Sequence, residues 1–381
     1  MKVVSVPLSF GFLSTYPPTQ CGLASFTAAL RDQLVADGVR TGVVRLVDQP
    51  KPVSQPEVVH HLVRGSRASS LAAAQALDNF DVVVAQHEFG IYGGLDGDEI
   101  LDVLDALTVP AVVVLHTVLT TPRRHQREVL ERVTDRARAV VTMTETARTR
   151  LLDRYDVDPA KVFVIPHGAV DSSAVHAGIA HGGPPTILTW GLLGPGKGIE
   201  SVIDVLPELG RHGLMPEYRI VGQTHPKVLE RDGEAYRASL VKRAEVAGVG
   251  GQVVFDARYL DVQSLNRVVA RADVIALPYE SREQVTSGVL IEAVAARKPV
   301  VATAFPHAVE LLASGGGLVV AHSDPAALAL ALRRVLAEPG LAASMVSQSK
   351  RTAPKLLWSS VASRYQELAE SLVSASLTVA V

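Results

Sequence analysis

Thr189-Trp190-Gly191-Leu192-Leu193-Gly194-Pro195-Gly196-Lys197-Gly198-Ile199-Glu200 carries an apolar run into a glycine-rich turn and then into a helix-like stretch. Glycines let backbone N–H groups approach phosphate oxygens, while a helix N-terminus and Lys197 add positive potential, so Gly196, Lys197 and Gly198 form a candidate phosphate site. Gly191, Gly196 and Lys197 also fit the triphosphate loop G-x-x-x-x-G-K-[ST]. Gly198, however, stands where a hydroxyl should hold magnesium, which argues against an ATPase. Further on, the polar loop with Ser287-Gly288 opens an apolar helix and offers free N–H groups to an anion. Glu292, about one turn into that helix, can accept hydrogen bonds from a ribose diol. In Gln86-His87-Glu88-Phe89-Gly90 the adjacent His87 and Glu88 suit sugar hydroxyls, and His116, directly after the apolar run Ala111–Leu115, should point toward the same end of the fold. Asp96-Gly97-Asp98 has the spacing of a carboxylate metal pair, yet it lies in a polar loop that enters a helix, so N-capping is expected and no metal site is assigned.

Such residues act together only if the elements between them end at one place. Short Val/Ile/Leu runs alternate with amphipathic helix-length stretches, the pattern of parallel sheets covered on both faces. The pattern occurs twice. Strands are expected at Val3–Pro7, Thr41–Leu46, Val58–His61, Val82–Ala85, Ala111–Leu115, Ala139–Thr142 and Val162–Ile165. After a polar stretch ending in Gly182-Gly183-Pro184-Pro185, a second series runs through Thr186–Trp190, Tyr218–Val221, Gln252–Phe255, Val274–Leu277, Val300–Thr303 and Leu318–Val320. The reading is α/β, with two doubly wound, Rossmann-like domains at 1–180 and 184–355, the last helix at about 358–381 packing back on the first. Their strand ends are expected to face each other across a cleft that holds the ligands.

Composition narrows the function. The chain has 381 residues, 48 % hydrophobic and 20 % charged, which excludes a disordered or coiled-coil protein and fits a packed enzyme of two domains. A net charge of −2 lacks the basic excess that nucleic acid requires. One cysteine, Cys21, allows neither an internal disulfide nor a thiolate zinc cluster, and suits a reducing cytoplasm. The longest apolar stretch falls well short of the roughly 20 residues of a spanning helix.

With these motifs in order, the chain resembles the retaining glycosyltransferases of family 4, which have the GT-B fold and transfer sugar from a nucleotide donor. The resemblance runs over nearly the whole chain. It rests on the Pro17-to-Gly22 loop, His116, Val164-Ile165-Pro166-His167-Gly168-Ala169-Val170-Asp171, the Gly191-to-Gly198 loop, Asp273, Glu292-Ala293 and Lys298-Pro299-Val300-Val301-Ala302. It implies that His116 contacts the donor sugar, that Gly222 approaches the nucleotide and that Gly22 belongs to the acceptor side with His87 and Glu88. Two departures stand out. Leu192 fills the position where the family has arginine, which leaves Arg258 as a candidate second cation for the diphosphate. Gln284 replaces the first glutamate of the Glu-x7-Glu pair, keeping a hydroxyl contact to the donor sugar without the charge.

The function expected from this reading is retaining transfer of a hexosyl group from a nucleoside-diphosphate sugar to a carbohydrate or glycoside acceptor. Catalytic roles fall to His116, Lys197 and Gln284, and donor binding to Gly196, Gly198, Gly222, Arg258, Ser287, Gly288 and Glu292. No cofactor or metal is expected. The protein would be a cytoplasmic monomer or homodimer, open to peripheral membrane contact. A sugar phosphorylase on the same fold is the first alternative, because a site without the Leu192-position arginine suits a smaller anion. A non-catalytic sugar- or nucleotide-binding module is the second, motivated by Gln284.

Overall fold

Valine-rich strands with no polar alternation need cover on both faces, and a computed structural model of the protein arranges them that way. It describes residues 7–172 and 183–379. The chain divides into two units, Met1–Gly168 with Trp358–Val381, and Ala169–Leu357.

The first unit holds a seven-stranded sheet in the order β3-β2-β1-β4-β5-β6-β7. Its strands are β1 Phe10–Ser14, β2 Thr41–Val47, β3 Val58–Val63, β4 Val82–His87, β5 Ala111–Leu115, β6 Ala139–Thr142 and β7 Val162–Val164. The second unit holds six strands in the order β10-β9-β8-β11-β12-β13: β8 Thr186–Trp190, β9 Glu217–Val221, β10 Val253–Asp256, β11 Val274–Leu277, β12 Val300–Thr303 and β13 Gly317–Val320. All pairings are parallel. Both orders are doubly wound. They reverse between β1 and β4 and between β8 and β11, and ligands of such sheets bind beyond the carboxyl ends of the strands at that reversal.

The first strand differs from expectation. Residues 3–6 of the expected Val3–Pro7 strand lie outside the described residues, and the described central strand is Phe10–Ser14, buried along its whole length. Its glycine conceals it in the sequence, because glycine weakens a strand unless another group must approach closely. Here one must: a Cβ on Gly11 would lie 2.9 Å from Phe80 Cδ2, and one on Gly42 in β2 would lie 2.3 Å from Phe80 Cζ. Phe80 fills the space that both glycines leave.

The division between the units falls at Gly168 and Ala169, ahead of the polar stretch expected to carry it; residues 173–182 of that stretch lie outside the described residues. Ala169 bridges to Leu357, and its N–H donates to Leu356 O at 2.7 Å. Trp358 opens the last helix, Trp358–Val379, where Val361, Ala362 and Tyr365 join Phe26 and Leu30 of the helix Gly22–Ala36 in one buried cluster. In the second unit, separate apolar clusters cover the sheet: Ile203, Leu206 and Tyr218 belong to one, Leu188, Ile275 and Leu290 to the other.

Candidate active site

In the second unit, β8 leads through Gly191, Gly196 and Gly198 into the helix Ile199–Arg211, with φ of 122°, 87° and 66° at the three glycines. Gly198 is the helix cap, and a Cβ there would fall 1.8 Å from Pro278 O. Only glycine allows the loop to lie against the segment that follows β11, where Glu280 N–H donates to Gly196 O at 3.0 Å. Gly222, after β9, has φ 133° and stands where a Cβ would come within 1.9 Å of Gly191 O, so its glycine character serves the packing of one loop on another.

Lys197 lies in this junction. Its Nζ sits 4.5 Å from the ring centroid of Tyr279, which is 1 % exposed and packs on Phe305. The ammonium has no carboxylate or carbonyl partner among the described residues, and burial lowers its pKa. A half-buried cation held only by a ring face is ready for an anionic ligand.

Ser287 caps the helix Gly288–Ala295, its Oγ accepting from Leu290 N–H at 3.2 Å while its own N–H donates to His307 Nδ1 at 2.8 Å. The hydroxyl is therefore engaged, and Gly288 opens the helix whose first N–H groups face outward. One turn on, Glu292 Oε2 accepts from the indole Nε1 of Trp190, at the end of β8, at 3.1 Å. Burial raises the Glu292 pKa and the indole bond opposes the shift. Gln284 Nε2 donates to Thr286 O at 3.1 Å, and Gln284 O accepts from His307 N–H at 3.3 Å. Thus Lys197, Gly196, Gly198, Gln284, Ser287, Gly288 and Glu292 lie on the loops and helix starts that follow β8 and β11, the reversal point of this sheet.

Arg258 is not brought there. It follows the edge strand β10 and is held by Asp256 through Nε–Oδ1 at 2.8 Å and Nη2–Oδ2 at 2.6 Å. Arg237, which no motif marks, lies closer: its Nη2 donates to Gly222 O at 2.9 Å and its buried Nη1 has no partner among the described residues. Its position inside the helix Ala235–Val246 hides it in the sequence. His307 was equally hidden, since nothing in its spacing ties it to Ser287. Two motif residues prove architectural: Asp273 Oδ2 accepts from Thr186 N–H at 2.7 Å, and Lys298 Nζ donates to the carbonyls of Ala270 and Ala272 at 2.6 and 2.9 Å.

In the first unit His116 Nε2 lies 2.6 Å from Gln86 Oε1, so that nitrogen carries the proton and Nδ1 is left as an acceptor. Burial, with His167 and His87 nearby, pulls the His116 pKa down to about 3, and Phe26 meets its ring edge-on at 5.2 Å. His87 departs from expectation: it is 0 % exposed, so its ring does not reach a substrate, and neither ring nitrogen has a partner among the described residues. As the last residue of β4 it continues the alternation that turns it inward. Glu88 accepts from Gly90 N–H at 2.9 Å and so braces its own turn. Gly22 opens the helix Gly22–Ala36, capped by Cys21, whose Sγ accepts from Ala24 N–H at 3.4 Å. Asp96 does not cap a helix; it pairs with Arg123 and, at 3.2 Å, with His125 Nδ1, and Asp98 is 3.7 Å from His125 Nε2. Among the described residues no group of three or more His, Cys, Asp or Glu side chains could hold a metal, and no helix is long and apolar enough to cross a membrane.

The sequence matches the model of the glycosyltransferase family 4 over residues 22–172 and that of the group 1 glycosyl transferases over 175–352. No curated protein matches it. Among solved structures, a glycosyltransferase from Rickettsia africae is similar with a TM-score of 0.76 at 15 % identity, over 96 % of this chain and 99 % of that one. The sucrose-phosphate synthase of Thermosynechococcus elongatus gives 0.74 at 18 %, over 96 % and 100 %. The Anabaena protein HepE, in complex with UDP and glucose, gives 0.73 at 17 %, over 96 % and 100 %. At these identities the likeness is one of fold, and the fold is the two-domain, Rossmann-like GT-B type.

Proposed function

We propose, on the premise that this chain belongs to the group 1 glycosyltransferases of the family 4 type, that it moves a hexosyl group from a nucleoside-diphosphate sugar to a carbohydrate or glycoside acceptor with retention at the anomeric carbon. The observation that carries the donor assignment is the unpaired Lys197 ammonium beside Tyr279, on the same loops as the Trp190-held Glu292. Lys197 and the N–H groups at Gly198 and Gly288 meet the diphosphate, and the free edge of Glu292 accepts the ribose hydroxyls. Gln284 reaches the donor sugar. HepE binds UDP and glucose, which favours UDP as the first nucleotide to test.

In the step itself the bond from the anomeric carbon to the diphosphate oxygen breaks as the acceptor oxygen bonds to the same face of that carbon. The acceptor proton passes to the departing phosphate oxygen, so no enzyme nucleophile is needed. Positive potential at Lys197 stabilises the charge that grows on the diphosphate. His116 Nδ1, fixed as an acceptor by Gln86, receives a hydrogen bond from a sugar hydroxyl. The reaction proceeds without a metal, in a reducing compartment where Cys21 serves as a helix cap.

Calorimetric titration with UDP, GDP, ADP and TDP tests this. One diphosphate should bind, and Lys197→Ala should weaken that binding by about tenfold or more without lowering the melting temperature. Binding of inorganic phosphate but of no nucleotide would overturn the proposal and favour the phosphorylase.

A further inference from the structure

A nucleoside-diphosphate sugar presents two anionic phosphate groups, and Lys197 meets them with a single charge. Arg258 is held by Asp256 and does not add to it. The loop after β9 brings another polar group. There Leu193 N–H donates to Gln223 O at 2.9 Å and His225 N–H donates to Leu193 O at 2.7 Å, so the chain from Gln223 to His225 runs as a short extension beside the first half of the glycine loop. The extension is anchored. Thr224 Oγ1 donates to Glu234 Oε2 at 2.6 Å, while Arg237 donates from Nη2 to Gly222 O at 2.9 Å and from Nε to Glu234 Oε2 at 3.2 Å. A Cβ on Gly194 would lie 3.9 Å from His225 Cβ, so the histidine side chain starts against the glycine loop itself.

One nitrogen of this imidazole is engaged and the other is free. His225 caps the helix Pro226–Asp232, its Nδ1 accepting from Lys227 N–H at 3.2 Å. A nitrogen that accepts carries no proton, so in the neutral ring the proton sits on Nε2, which is a donor. His225 is half-buried, and its Nε2 has no hydrogen-bond partner among the described residues and, unlike the ring nitrogens of His87, stays open to solvent. Burial, Lys227 and Lys197 together lower the pKa of the ring, which keeps it neutral and keeps Nδ1 available for the cap. Among the described residues no carboxylate acts on it; Glu234, next along, is taken by Thr224 and Arg237. The field of Lys197 thus reaches a ring whose free edge only donates. An anion drawn to Lys197 meets that donor already oriented.

We propose that His225 is a further donor-binding residue, its Nε2–H donating to a diphosphate oxygen of the nucleotide sugar that Lys197 binds. The inference deepens the donor reading above and rests on it. One side chain then has two tasks: Nδ1 holds the helix start, and Nε2 meets the ligand.

Two substitutions in the full chain separate those tasks, because the amide of asparagine ends near the position of Nδ1 and that of glutamine near Nε2. His225→Asn keeps an acceptor for Lys227 N–H, asparagine being a favoured cap, and removes the donor. His225→Gln keeps an amide donor toward the ligand and weakens the cap. UDP-glucose, GDP-mannose, ADP-glucose and TDP-glucose are titrated by calorimetry into the unmodified chain, and the tightest binder is carried on to the variants. His225→Asn should weaken its binding by about tenfold or more, the scale of a hydrogen bond to a charged group, at an unchanged melting temperature. His225→Gln should stay close to the parent in affinity and melt lower. A histidine that only shapes the loop gives the reverse order, with asparagine close to the parent and glutamine weakened. That order, equal losses in both variants, or no loss in either overturns the proposal. If His225→Gln does not fold, His225→Asn decides alone, and parent-like affinity there overturns it. Failure of the unmodified chain to bind any of the four nucleotide sugars defeats the donor reading itself, whereas a parent that binds beside an unaffected His225→Asn defeats this inference only.

Discussion

The indole Nε1 of Trp190 donates to Glu292 Oε2 at 3.1 Å, joining the end of β8 to the second turn of the helix Gly288–Ala295. Their separation in sequence gives no hint of the contact. The bond holds one carboxylate oxygen and leaves the other edge to a ligand. Trp190→Phe should destabilise the protein by about 1–3 kcal/mol, read from the urea midpoint, because the buried carboxylate loses its donor. It should also move nucleotide binding along the pH axis. Burial already raises the Glu292 pKa and the indole opposes this, so without the indole the carboxylate protonates at higher pH. Binding that needs the anion should fail at a higher pH in the variant than in the parent.

Lys197→Ala should lower kcat by about 100- to 1000-fold, the scale found on removing one electrostatic contact to a leaving group. Its urea midpoint should not fall, because the ammonium makes no ion pair in the structure and its partial burial is unfavourable. Loss of both activity and stability would assign Lys197 to the architecture instead.

Gly198→Ala should cost roughly 3 kcal/mol or more, since the added Cβ would lie 1.8 Å from a backbone carbonyl oxygen and φ is 66°. Gly213→Ala is the control. There φ is 76° but nothing lies within 4 Å of the Cβ, so only the left-handed backbone penalty of about 1–2 kcal/mol is expected. Denaturant midpoints of the two variants give the difference directly.

Burial pulls the His87 pKa down to about 4 in the folded chain, against an ordinary value of about 6.5 when unfolded. Below pH 6.5 the unfolded chain takes up a proton that the folded chain refuses. Stability should therefore be full above that pH and fall as pH drops toward 4, by about 2 kcal/mol at pH 5 from this residue alone. His87→Leu should flatten the acid limb of a melting-temperature profile, and an unchanged limb would show that His87 is not its source.

Turnover should survive excess EDTA. The Asp96 and Asp98 carboxylates already face Arg123 and His125, so this Asp-x-Asp pair is engaged with basic side chains. A loss of activity restored by added magnesium or manganese would contradict the metal-independent reading.

The sequence by itself determined the two parallel sheets, because continuous valine-rich runs can only be strands covered on both faces. It also determined the glycine loop at Lys197 and the helix start at Ser287-Gly288, because local backbone needs select glycine and a capping hydroxyl. The first central strand escaped it, since Gly11 reads as a breaker until Phe80 is seen to occupy the space beside it. Only the tertiary structure decided which polar residues share a partner. Burial removed His87 from the surface, Asp256 took Arg258, and Trp190 and His307 came to Glu292 and Ser287 from distant elements. Spacing along the chain fixes periodicity and caps, whereas burial and hydrogen bonding depend on which elements become neighbours in space.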